Sequence, residues 1–246
     1  MEYPIYQENI KKLDWDSDFF KIRVGELKPA SFNEREILKT VEKGIREDFD
    51  LIYLIIDKRI DQETIFSEFL IYRKVIFGKD LLIEKSPLPD NIIEISGGEI
   101  TGKIYDLAIQ SGRYSRFNID DNIPSESFKL LYRTWIENSM ENRIADRVYV
   151  YLEENQARGL ITVRKDEQCG RIGIIAVDEE YRGKLIGTSL IQRVENFLIS
   201  ENILKLEVST QERNQSACNF YKKNGFRIDK KINYYHIWRS DYENSL

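Results

Sequence analysis

Between residues 181 and 190 the chain reads YRGKLIGTSL. An apolar run, RIGIIAV, precedes it, and a segment of helical character, GTSLIQRVENFLIS, follows. Strand, basic glycine-containing turn and helix form an arrangement that holds phosphate. The first helical turn leaves about four amides without internal partners, and the macrodipole adds partial positive charge there. Arg182 and Lys184 add formal charge beside it. A pyrophosphate suits that end; the alternative is a solvated basic turn. A second group of interest is NQSACNFYKKNGF (residues 214–226), read as a short helix capped by Asn214 and ended by Gly225, with Tyr221 inside it.

Other chemistries find less support. The two cysteines, Cys169 and Cys218, make no disulfide framework and read as buried or incidental thiols. No ligand set with metal-site spacing is present, so no metal is expected. The single histidine, His236, limits Ser-His or Cys-His catalysis; it lies in INYYHIW, an alternating pattern that reads as a packed strand. GGEITGKI (residues 97–104) nearly spells a nucleotide-binding P-loop. Ile104 replaces the Ser or Thr that would hold magnesium, and the residues after the loop read as a strand where a helix is required. The formal net charge of -5 argues against nucleic acid as a partner. A local Arg/Lys cluster can still serve a small anion.

The elements that must position these groups read as α/β. With 246 residues, 41% hydrophobic and 12% aromatic, the chain suits one large domain or two small ones. Its longest apolar runs, such as LIYLII, are too short to cross a bilayer, and MEYPIYQENI has no basic-then-apolar leader. A cytoplasmic protein is expected. Strands are read at 22–27, 51–57 and 74–80, and helices at 32–49 and 61–73. Residues 84–103, with two prolines and three glycines, read as a connector. The expected domains are 1–100 and 101–246. In the second, KIYDLAIQ (103–110) reads as a strand and 124–140 as a helix. A hairpin turning near 154–156 follows, then RIGIIAV, the basic loop and its helix. The strand ILKLEVST (203–210), the short helix and a terminal hairpin (226–238) complete the second domain.

YRGKxxG before the long helix, with NxxAxxFYxxxGF downstream (Asn214, Ala217, Phe220, Tyr221, Gly225, Phe226), resembles the GNAT superfamily of acetyltransferases. The resemblance implies a mixed-sheet acyl-CoA N-acyltransferase fold, preceded here by an N-terminal α/β domain that extends the sheet. It implies acetyl-CoA as co-substrate, its pyrophosphate held by backbone amides of the loop. Its pantetheine would lie between RIGIIAV and ILKLEVST where the two strands splay apart. Carried onto this chain, the cofactor-binding residues are Ala176, Val177, Arg182, Gly183, Lys184, Leu185, Ile186, Gly187, Thr188 and Asn214. Ala176 and Val177 would orient the thioester through their amides. Tyr221 takes the place of the general acid beside the CoA sulfur. A thiol near pKa 8.5 and a tyrosine near 10 make full transfer uphill by about 1.5 units, or ~2 kcal/mol, so hydrogen bonding to the developing thiolate is the other way it could act. No base is visible, a water chain is the substitute, and Asp178, Glu179 and Glu180 read as a solvated acidic turn. The loop departs from the family at Leu185, where a glycine is usual. A left-handed leucine would cost roughly 1–2 kcal/mol, a right-handed one little.

Residues 13–27, 111–124 and 131–163 are similar to dTDP-fucosamine acetyltransferase and its sugar-nucleotide relatives. That resemblance implies acetylation of the 4-amino group of a dTDP-4-amino-4,6-dideoxyhexose, for surface polysaccharide biosynthesis, by a homodimer. Arg116, Trp135 and Asn138 are then the substrate-binding residues. Arg116 could make a bidentate phosphate contact or pair with a surface carboxylate. Trp135 could be a stacking platform or a core residue, and Trp15, Phe19 and Phe20 read as core. Two readings compete: a GNAT enzyme for another amine, such as a peptide N-terminus or small metabolite, and a non-catalytic CoA-binding protein.

Overall fold

The computed structural model describes residues 9–57, 63–98 and 100–245. In chain order its elements are β1 (Lys11–Lys12), α1 (Asp14–Phe20), β2 (Val24–Leu27), α2 (Glu34–Arg46), β3 (Leu51–Ile56), β4 (Leu70–Asp80) and β5 (Ile92–Ile95). Then come α3 (Gly102–Ser111), α4 (Arg116–Ile119), α5 (Ser125–Met140), β6 (Arg147–Glu153), β7 (Gln156–Lys165) and β8 (Gly170–Val177). The chain closes with α6 (Ile186–Ser200), β9 (Lys205–Gln211), α7 (Gln215–Lys223), β10 (Arg227–Trp238) and α8 (Arg239–Ser245). Two compact units emerge, Met1–Val75 with Lys230–Leu246, and Ile76–Asp229.

In the first unit β2 and β3 pair in parallel, and β3 pairs antiparallel with β10, Tyr235 opposite Leu54. LIYLII is apolar throughout because β3 is buried on both faces. Ile52, Leu54 and Ile56 pack with Ile37 and Val41 of α2, while Leu51, Tyr53 and Ile55 pack with Val24, Leu13 and Phe20. Asn33 caps α2 by accepting from Glu36 N–H. His236 is a buried strand residue whose ring lies 4.7 Å from that of Tyr53.

In the second unit β9 and β8 are parallel, and β8, β7, β6 and β5 follow as an antiparallel series. The β6–β7 turn is Glu154–Asn155, with φ of 53° and 58°, as a two-residue hairpin of matching twist requires. One sheet face is covered by α3 and α5 through Leu107, Ala108, Ile136 and Met140 over Val148, Leu160 and Ile174. The buried stripe of α6 is Leu190, Ile191, Val194 and Leu198.

Several sequence expectations are corrected. KIYDLAIQ is part of helix α3, because its buried residues Ile104, Leu107 and Ala108 recur at helical spacing. The near-P-loop is therefore followed by a helix after all. The strand before it, β5, is antiparallel to its neighbour, and Lys103 is paired with Asp178 at 2.7 Å. Of the helix read at 61–73, residues 61 and 62 lie outside the described residues. Ser67–Phe69 is one 3-10 turn, and LIYR opens the eleven-residue strand β4. The connector at 84–103 contains β5, which pairs with β6. The terminal hairpin is one continuous strand, β10, whose Lys230 reaches Asp57 instead of turning the chain.

Candidate functional site

The site begins where two parallel strands part. β8 and β9 pair at Gly170–Leu206, Arg171–Glu207 and Ile172–Val208, and β8 then continues to Val177 along β7 alone. Asp178 N–H donates to Arg158 C=O at 2.9 Å. Antiparallel alternation therefore aims Ala176 N–H at β7 and Val177 N–H away from it, into the gap. Val177 C=O faces the same way and accepts from Gln110 Nε2 at 2.8 Å and Arg182 Nε at 3.4 Å. Of the two amides expected to face a ligand, only that of Val177 points away from β7 into the gap.

A 3-10 turn (Glu179–Tyr181) leads into the basic loop. Gly183 has φ 80°, which glycine adopts freely. Leu185 has φ 61° and ψ 6°, so the leucine sits in the left-handed region at a cost of roughly 1–2 kcal/mol. Its side chain is 72% exposed. The first bond within α6 runs from Ser189 N–H to Leu185 C=O, which leaves the amides of Ile186, Gly187 and Thr188 without intrahelical acceptors. A Cβ on Gly187 would lie 2.9 Å from Phe220 Cζ, so this glycine is what lets α6 lie close against α7. Lys184 folds its ammonium 4.2 Å over the Tyr181 ring, whose contact with Arg158 is 4.3 Å.

The acidic turn is not uniformly solvated. Glu179 is exposed and pairs with Arg113 and Arg182. Asp178 is buried and takes hydrogen bonds from Lys103 and Arg158, because the strand end tucks it under α3. The Lys103 ammonium holds its carboxyl below the usual range.

Opposite the loop stands α7. Asn214 caps it by accepting from Ala217 N–H at 3.2 Å. Tyr221 is buried among Phe77, Phe220 and Phe226, with ring centroids 5.5–5.9 Å apart. Burial, with a smaller contribution from Cys218, raises its hydroxyl well above the ordinary tyrosine value. The group is held protonated: a strong fit for hydrogen-bond donation and a poor one for giving a proton up.

One cavity of about 710 Å³ gathers these pieces. Ala176, Val177, Arg182, Gly183 and Leu185 line it, as do Ile186, Gly187, Thr188, Asn214 and Tyr221. Lys184 is not among the lining residues, being folded over Tyr181. Gln110, Arg113 and Lys223 line it without having been singled out from sequence, and among the described residues no lining residue is a carboxylate. Gln110 was hidden because its segment read as a strand. Arg116, Trp135 and Asn138 lie outside this lining. Arg116 stacks 4.4 Å over Phe117, and Trp135 packs on Phe117 and Tyr132. Asn138 Oδ1 accepts from Arg143 at 3.1 Å. Among the described residues no group of three or more His, Cys, Asp or Glu could hold a metal.

Residues 114–226 match the profile described as "Acetyltransferase (GNAT) family". Over that segment, a little under half of the chain, the sequence is similar to the GNAT family. The GNAT segment thus holds the loop, Asn214 and Tyr221, while Gln110 and Arg113 come from just before it. Streptothricin acetyltransferase A of Bacillus subtilis (strain 168) is 35% identical over 81 residues, covering 32% of this chain and 47% of that protein. The chain spans about half the length of the curated relatives it matches first. A GCN5-related N-acetyltransferase from Sphaerobacter thermophilus shares the fold, with a TM-score of 0.56 at 12% identity over 94% of this chain and 76% of that one. A functionally unknown protein from Staphylococcus epidermidis gives 0.61 at 10% identity over 87% and 83%. The GNAT fold therefore accounts for the mixed sheet and its helices. Among the described residues no helix is long and apolar enough to cross a membrane.

Proposed function

We propose that this chain is an acetyl-CoA-dependent N-acetyltransferase. The observation that carries the reading is the parting of β8 and β9 beyond Ile172–Val208, on the same cavity as the left-handed loop and the open N-terminus of α6. The fit is sound. The cavity offers amides at residues 185–188 for a pyrophosphate, with Arg182 and Lys223 beside it. When bound, acetyl-CoA would supply its acetyl group to an amine, the C–S bond breaking as the C–N bond forms and the proton lost by the amine passing through water to the CoA sulfur. Val177 N–H supplies a fixed donor at the strand end, where preorganised dipoles lower a barrier most. Tyr221 Oη donates a hydrogen bond and keeps its proton, since its raised pKa makes release still less favourable than for an ordinary tyrosine. Asn214 fixes the start of α7 and so the height of Tyr221.

For the acceptor we propose the 4-amino group of a dTDP-4-amino-4,6-dideoxyhexose, in a cytoplasmic homodimer that serves surface polysaccharide biosynthesis. Residues 1–100 would extend the GNAT domain of 101–246. The similarity of residues 13–27, 111–124 and 131–163 to sugar-nucleotide acetyltransferases supports this. Arg116 and Trp135 both contact Phe117, and Asn138 follows one turn further along α5, which supports a shared role for the three. The relative named for streptothricin favours a second reading, an amine on another small molecule. Calorimetric titration with acetyl-CoA, followed by thiol release with a panel of dTDP-amino sugars and other amines, tests both. Turnover with one 4-amino sugar supports the first reading, and turnover only with other amines supports the second. Binding without turnover leaves a non-catalytic CoA protein.

A further inference from the structure

Asp178 stands one peptide bond beyond Val177, yet unlike its neighbours it is only 7% exposed. Its Oδ2 accepts from Lys103 Nζ of α3 at 2.7 Å and from Arg158 Nη1 of β7 at 3.3 Å. Its Oδ1 accepts from Glu180 N–H at 3.4 Å. Its backbone N–H donates to Arg158 C=O, and its C=O accepts from Tyr181 N–H, both at 2.9 Å. One residue thus joins α3, β7, the end of β8 and the first turn of the phosphate-side loop. The linkage continues outward, because Arg158 stacks on the Tyr181 ring that also carries Lys184. A second tie between the same helix and strand end is Gln110 on Val177 C=O.

We infer that Asp178 is a positioning residue that holds the Val177 amide and the 179–185 loop in register with each other across the cavity. This rests on the proposed acetyl-CoA site. An ion pair remote from the cavity would set stability alone. This one is bonded to both sides of the ligand's seat. Without the carboxylate, Lys103 and Arg158 face each other with no counter-charge, and Arg158 would have to move to recover solvation. The Tyr181 ring and the loop would move with it. An amide at this position can present its one oxygen to Lys103 and Arg158, with its NH2 then facing Glu180 N–H, so it preserves part of the geometry without the charge.

The test is calorimetry of the full chain with acetyl-CoA alone, at a temperature where each variant has the wild-type far-ultraviolet circular dichroism. Asp178→Ala is expected to weaken binding at least tenfold, and Asp178→Asn two- to fourfold. Ile136→Val, a core change on α5 away from the cavity, is expected to lower Tm and leave the Kd within twofold. A Kd within twofold of wild type for folded Asp178→Ala overturns the inference while the CoA site stands. Should Asp178→Ala fail to fold, Lys103→Met decides: a threefold or greater loss supports the linkage, and a smaller change overturns it. Wild type that does not bind acetyl-CoA overturns the functional reading, and the inference with it.

Discussion

Leu185 and Tyr221 are where single residues depart from what their types suggest. A leucine at φ 61° bears a conformational cost that a glycine would not. Leu185→Gly removes roughly 1–2 kcal/mol of that cost but returns roughly 0.5–1 kcal/mol through the freer unfolded chain. We expect Tm to rise by no more than about 6 °C, with acetyl-CoA affinity unchanged or better. A lower Tm would mean that the exposed leucine makes contacts worth more than its strain. Tyr221→Phe keeps the packing among Phe77, Phe220 and Phe226 and deletes the hydroxyl. A loss of about 100- to 1,000-fold in kcat, with little change in acetyl-CoA affinity, is the expected order for one lost transition-state donor. Because its pKa is raised, the rate should also show no alkaline fall from Tyr221 up to the ordinary tyrosine range near pH 10. Equal rates for the two proteins would remove Tyr221 from the chemistry.

At the scale of elements, the contact of α6 with α7 depends on Gly187. A methyl there would stand 2.9 Å from Phe220 Cζ, so Gly187→Ala should destabilise by about 1–3 kcal/mol and weaken acetyl-CoA binding as the N-terminus of α6 shifts. Phe220→Leu in the same chain should recover part of both losses, and a double-mutant cycle with no coupling would refute that contact. The β7–β8 turn gives a pH prediction. Asp166 accepts from Arg171 and from the backbone N–H groups of Gln168 and Cys169, the last two at 2.8 Å, and its carboxyl is held at about 2. A folded pKa below the unfolded value near 3.9 adds stability above about pH 4 that is lost as pH falls towards 2. Both partners are half-exposed, so the effect is small and screened by salt. At low ionic strength, Tm curves of wild type and Asp166→Asn should differ above pH 4 and converge near pH 2. Parallel curves would show that the turn does not depend on the carboxylate.

For the whole molecule, ligand linkage is the most direct reading. Acetyl-CoA at a hundred times its Kd should stabilise the unit that binds it by about 2.7 kcal/mol, which is roughly 5–10 °C for a domain of this size. No shift at millimolar acetyl-CoA would contradict the proposed site. The residue pattern alone was sufficient for local features. These are the amphipathic helix α2, the buried strand β3, the loop and helix of the cavity, and the capped helix bearing Tyr221. Each is set by neighbours a few residues apart, where period, cap and turn chemistry decide the outcome. Tertiary structure alone decided the rest. KIYDLAIQ has few enough residues to read either way, and only packing on β7 and β8 makes it a helix that carries Gln110 to Val177. LIYR joins β4 in the same manner. The sign of φ at Leu185, the burial of Asp178 between Lys103 and Arg158, and the parting of β8 from β9 all depend on partners distant along the chain. Local pattern records what a segment can become; long-range contacts, whose free energy no short window contains, select which of those it is.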